Sequence, residues 1–117
     1  MLPDDALGVL RTVVALLVHG EYAEIEALTE GRRLFAEEIE AAVGGRELTE
    51  PPESAFEGAE GTELETGGEY ERGLHVAFPL WTAAGRSDLV AEFTLLEVME
   101  RVWTVELVSL REAPAAP

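Results

Sequence analysis

The sequence predicts an α+β domain: three N-terminal helices packed on a curved antiparallel sheet of three to four strands. Three observations lead there. Apolar residues recur at three- and four-residue spacing as far as Val43, the period of a helix face. From Leu74 onward they alternate, the period of a half-buried strand. The two patterns do not interleave, and helices followed by strands put the helices together on one side of an antiparallel sheet. A length of 117 residues is that of one domain. Its body is expected over 1–112, with Ala113-Pro114-Ala115-Ala116-Pro117 as a frayed tail.

The first helix opens at Pro3-Asp4-Asp5. Asp4 is placed to accept from the free N–H groups of the first turn, and both carboxylates suit its positive end. Leu7, Leu10, Val14 and Leu17 form its stripe, widened by Val13 and Val18, and His19-Gly20 ends it. A second helix is predicted over Glu21–Thr29, with Tyr22, Ile25 and Leu28 inward and Gly31 as its stop. A third runs over Arg33–Val43. Phe35, Ile39, Ala42 and Val43 share its inner face, Arg33 and Glu37 are spaced to pair, and Gly44-Gly45 ends it. Pro51-Pro52 excludes helix at that dipeptide. The crowded glutamates that follow predict a solvated loop, anchored by Leu48, Phe56 and Tyr70, with a short strand near Gly61–Thr66.

Three strands complete the chain: Leu74–Thr82, Asp88–Val98 and Val102–Arg111. Pro79 cannot donate to a ladder, so it places the first strand at an edge or marks a bulge. Ala83-Ala84-Gly85-Arg86 makes the first turn.

Composition narrows function. The chain has no cysteine, which excludes disulfides, thiolate metal sites and cysteine nucleophiles and suits a reducing cytoplasm. The longest apolar run, Val13–Val18, is too short to span a bilayer. Asp4 and Asp5 stand where a secretory signal carries positive charge. A cytoplasmic protein without membrane contact is the expectation. The formal net charge is −16, and all eight basic residues are arginine. So few cations do not neutralise phosphates, so nucleic acid is not an expected partner. A G+C-rich genome is the ordinary origin of such a bias. The functional origin is an acidic face that captures a basic protein.

Six side chains are candidates for partner or pocket contacts: Trp81, Arg86, Asp88, Trp103, Tyr22 and His75. In the Gly85-Arg86-Ser87-Asp88 segment, Asp88 can cap turn N–H groups and Arg86 can brace a carboxylate across the hairpin. The ordinary role of such a turn is to set register. Ser87 has no histidine base nearby in sequence, which argues against a nucleophilic triad. His75 sits out of phase with Val76 and Phe78 and reads as an exposed or hydrogen-bonded residue before it reads as a general base. Trp81 and Trp103 are core candidates first; if the sheet curls they share a face and line a pocket with Tyr22, Tyr70 and His75. An isomerase-like site would need a carboxylate of raised pKa, for which only Glu92 and Glu106 are placed. No spacing supports a metal site or a phosphate loop. No catalytic residue, metal or cofactor is expected.

The run Pro79-Leu80-Trp81-Thr82-Ala83-Ala84-Gly85-Arg86-Ser87-Asp88-Leu89, with an apolar-rich strand after it, resembles a signature of a family of small uncharacterised bacterial domains. Gly20-Glu21-Tyr22 and Pro51-Pro52 look similar as well. A sheet curling around the first helix resembles the cone-shaped, cystatin-like fold of nuclear transport factor 2-like proteins. The resemblance implies a fold and no chemistry. The leading expectation is a small acidic, non-enzymatic module contacting a basic protein partner, with a toxin-neutralising immunity protein as its narrower form. The alternative is a small-molecule pocket protein or minor enzyme of the cone fold. A homodimer through the sheet would use Val90, Leu96 and Val108.

Overall fold

A computed structural model describes residues 2–29 and 34–112. Helix α1 (Asp4–Val18) begins one residue earlier than a capping Asp4 requires. Pro3 holds the N-cap position and its carbonyl accepts from the Leu7 N–H at 2.9 Å; Asp4 and Asp5 make no cap hydrogen bond and suit the first-turn dipole, and Asp5 also pairs with Arg101 at 3.2 Å. Ala6, Leu10, Val13, Val14 and Leu17 are buried, while Leu7 and Val18 pack at the margin. Gly20 adopts the left-handed conformation just past the helix end, with φ +71°.

Helices α2 (Tyr22–Leu28) and α3 (Ala36–Val43) turn back on one another. Ile25, Ile39 and Val43 enter the core. Two expected core residues do not. Leu28 lies in the last turn of α2 and is exposed, and Phe35 is 58% exposed. Phe35 precedes α3 in extended backbone, so the helical period does not apply to it. Its N–H donates to Glu38 Oε1 at 3.0 Å, half of a capping box, and Leu34 packs against the core instead. The expected Gly31 stop, the Arg33–Glu37 pair, the Arg33 start of α3 and the 113–117 tail lie outside the described residues.

The connecting region is more structured than a solvated loop. It contains strand β1 (Leu48–Thr49), helix α4 (Glu53–Glu57) and strand β2 (Thr62–Leu64). Pro52 is the N-cap of α4, a position where the restrictions of Pro51-Pro52 no longer forbid helix. Phe56 anchors the segment by stacking on Phe78, centroids 5.1 Å apart. Leu48 is buried and Tyr70 half-buried. Gly61 is needed at the entry to β2, because an added Cβ would stand 2.9 Å from Leu2 Cδ2 and 3.2 Å from Leu74 Cβ.

Strands β3 (Arg72–Thr82), β4 (Gly85–Met99) and β5 (Val102–Glu112) form an antiparallel meander. The sheet order is β1-β3-β4-β5, with β2 also on β3, so five strands replace the expected three or four. Thr82 pairs with Gly85, which shortens the turn to Ala83-Ala84 and puts Arg86 inside β4. The register stacks Leu74, Val76 and Phe78 opposite Leu95, Phe93 and Ala91, and these meet Val105 and Leu107 of β5. All of these side chains are buried. Helix α1 lies across β5, and α3 also reaches that strand.

The bulge reading of Pro79 holds; β3 itself is not an edge strand, since β4 pairs on one side and β1 and β2 on the other. Pro79 lies beside a register shift between residues 79 and 81, and in a stretch of β3 that no strand pairs on its far edge among the described residues. One residue of β3 there faces three of β4. The Ser87 hydroxyl fills the break, donating to Leu80 O at 2.7 Å and accepting from Leu89 N at 3.1 Å. Further shifts at residues 92–93 and 97–99 of β4 add bends to the sheet.

Phe78 is at the centre of this interior, so Phe78→Ala is expected to lower the unfolding free energy by about 3–5 kcal/mol in urea denaturation. Phe35→Ala, at an exposed cap, is expected to stay within about 0.5 kcal/mol.

Candidate functional site

Strand alternation separates the two tryptophans. Trp103 follows Val105 and Leu107 onto the core side, 9% exposed, with the Arg72 guanidinium 5.9 Å from its ring centroid. Trp81 is half-exposed and lies across from Arg86, on the side of the sheet away from α1, α2 and α3. They therefore do not share a face or build one pocket. Asp88 makes no hydrogen bond to turn N–H groups; it is exposed and ion-pairs with Arg46 at 3.4 Å, while Ser87 bonds within the bulge. Tyr22 belongs to the helical layer. Only Trp81, Arg86 and His75 come together.

They meet in a cleft of about 530 Å³ between β3 and the α4–β2 segment. His75, Ala77, Pro79 and Trp81 alternate along its β3 side, and Ser54, Ala55 and Gly58 stand opposite. Thr62 pairs with His75 at one end, and Arg86 with Trp81 at the other. His75 to Trp81 is six residues of strand, or about 20 Å. The Trp81 indole N–H is closed off from water and has no hydrogen-bond partner among the described residues. Among those residues Arg86 makes no ion pair, whereas Arg11, Arg46, Arg72, Arg101 and Arg111 are each held by a carboxylate.

Behind the cleft, Glu92 ties the sheet surface together. It accepts from Arg111 Nε and from His75 Nε2, the latter at 3.2 Å. The Arg111 guanidinium and then the His75 ring hold its carboxyl below the usual carboxylate range, against the opposing effect of burial. That is the reverse of what a general base in an apolar pocket requires. Glu106, the other carboxylate considered for that role, is half-buried in β5 across from Thr94. Among the described residues no three His, Asp or Glu side chains converge as metal ligands would. No helix of the described residues is long and apolar enough to cross a membrane.

A second groove, about 640 Å³, lies in the helical layer between Gly20-Tyr22 and α3. Tyr22, Glu37 and Glu40 line it, and both glutamates are exposed, with no arginine among the described residues paired to them. Sequence reading missed this pair, since Glu37 and Glu40 are an ordinary wet helix face until Tyr22 is seen opposite. Of the dimer contacts considered, Leu96 is covered. It packs with Thr66 over Gly73, where an added Cβ would be 3.4 Å from Leu96 Cδ2 and 3.1 Å from Thr66 Cγ2.

Residues 14–113 match a domain family described as a domain of unknown function, DUF7668. The chain belongs to this family. The DUF7668 match runs from the middle of α1 through β5 and includes both grooves. No curated protein and no solved structure matches the chain.

Because the folded Glu92 carboxyl titrates below its unfolded value near 4.5, its contribution to stability is complete above that value. The contribution is lost as pH falls through the lower folded pKa. Glu92→Gln is therefore expected to flatten the acid limb of stability against pH below about 4.5, measured by urea denaturation across pH 2.5–7. An unchanged acid limb would contradict the assignment.

Proposed function

We propose that this DUF7668 domain is a non-enzymatic acidic module that holds a basic protein partner through the helical-layer groove. The observation that carries the reading is the pairing of Tyr22 with two carboxylates, Glu37 and Glu40, that no described arginine neutralises, in one groove of a chain of net charge −16. An aromatic ring beside carboxylates suits an arginine or lysine side chain, which gains both charge pairing and contact with the ring face. The surrounding negative field raises the capture rate of a cationic partner and makes it salt-sensitive.

The narrower form of the reading is an immunity protein that neutralises a basic toxin in the cytoplasm, supported by small size, acidity and the lack of a catalytic constellation among the described residues. We also assign the bent sheet under its helical roof to the cone-shaped, cystatin-like class on topology.

Titration calorimetry with a deca-arginine peptide tests the groove. Glu37→Gln/Glu40→Gln is expected to weaken binding about two- to tenfold at low salt, as two exposed ion pairs imply. Glu65→Gln/Glu69→Gln, an equal change of charge elsewhere, is expected to weaken it less. Equal losses from both double variants would reject the groove as the contact.

A further inference from the structure

The β3 cleft is built differently from the acidic groove. Its main features are two hydrogen-bond donors without acceptors among the described residues, in a chain dominated by acceptors. The Trp81 indole nitrogen only donates, and an unsatisfied buried donor is costly enough that native structures leave few of them. Arg86 faces it across the hairpin, exposed and without an ion pair among the described residues. No described neighbour holds the Arg86 guanidinium, so its N–H groups are available to a ligand in the cleft that both side chains line.

A third feature lies along the strand between these donors and His75. Strand β2 pairs with β3 at residues 73–75 and β1 at 81–82, both on the edge away from β4. Residues 76–80 lie in the gap. Among the described residues no backbone–backbone hydrogen bond outside the β3–β4 ladder reaches them. The α4–β2 segment folds over this edge through Phe56 on Phe78, so an extended peptide here would lie in the cleft between that segment and β3 rather than add to the ladder. The floor there is Ala77 and Pro79, small and uncharged.

We propose that the cleft binds the C-terminal end of an extended peptide, with its free carboxylate held by Arg86 and the Trp81 N–H. The peptide runs in the same direction as β3, its preceding residues lying over Pro79 and Ala77 toward His75. One planar guanidinium beside one indole N–H matches the two oxygens of a carboxylate. A phosphate dianion fits poorly. Among the described residues no second arginine lines the cleft, Glu60 stands on its far wall, and the whole chain is strongly negative. This site is independent of the acidic groove, and its ligand carries the opposite charge.

The test is nuclear magnetic resonance of the 15N-labelled protein, whose two indole N–H signals are assigned with Trp81→Phe. The probes are a pool of N-acetylated tripeptides randomised at every position, used once as free acids and once as C-terminal amides. The free acids are expected to move the Trp81 indole signal, and the amides to leave it in place. Arg86→Gln is expected to weaken the free-acid response about tenfold or more, as loss of a charge-assisted pair implies. Its backbone spectrum is expected to stay folded, since Arg86 is exposed. A Trp81 signal that does not move with the acids, moves equally with acids and amides, or responds normally in Arg86→Gln overturns the proposal. None of these results bears on deca-arginine binding at Glu37 and Glu40.

Discussion

Everything in this molecule depends on one burial: the apolar stripe of α1 against the inner face of the β3–β5 meander. Leu10, Val13, Val14 and Leu17 supply one side, and Phe78, Phe93, Leu95 and Val105 the other. Each buried side chain of this size contributes about 1.5–3 kcal/mol of transfer free energy, most of which offsets chain entropy. Because period two commits every second residue of a strand to this interior, the other residues are committed to the opposite face. That is why His75, Trp81, Arg86 and Glu92 appear together on the outer side. Their grouping is a by-product of the register that builds the core.

Only part of that outer side is roofed. The α4–β2 segment folds over the edge of β3, pinned by Phe56 on Phe78 and by the Arg11–Glu53 pair, which links α4 back to α1. The Arg11 guanidinium also lies 4.7 Å from the Phe56 ring centroid and holds the Glu53 carboxyl below its usual range. Other described arginine pairs likewise join separate parts of the chain: Arg46 to Asp88 and Glu112, Arg72 to Glu63, Arg101 to Asp5, Arg111 to Glu92. Exposed pairs of this kind add little stability singly. Their larger consequence is electrostatic, since they consume nearly every described cation and leave Arg86 as the exception in an otherwise acidic surface.

The long elements were legible in the sequence, because α1 and the three long strands carry their own periods over ten or more residues. The core pairing of Phe78, Phe93 and Val105 followed directly. Boundaries failed where a residue sat outside the regular backbone that its spacing assumed, as with Phe35 at a cap and Asp4 inside the first turn. The short helix α4 was hidden because five residues give barely more than one turn of periodicity, and the crowded glutamates around it suggested solvent. At the candidate sites, Trp81, Arg86 and His75 could be named but not joined, since their meeting depends on the β3–β4 register and a bulge. A shared face for Trp81 and Trp103, expected only if the sheet curls, fails because β4 lies between their strands and alternation puts them on opposite sides. The partnership of Tyr22 with Glu37 and Glu40 depends on how α2 and α3 fold back, which no local pattern encodes.

Native-state hydrogen exchange tests the shared interior most directly. If α1 and the meander bury one another, the amides of Val14 and Leu17 on the helix stripe will exchange only through the same global opening as those of Phe93 and Val105. They will then show equal opening free energies and equal denaturant dependence. Exchange of the α1 amides through a separate, cheaper opening while the sheet stays protected would contradict the account.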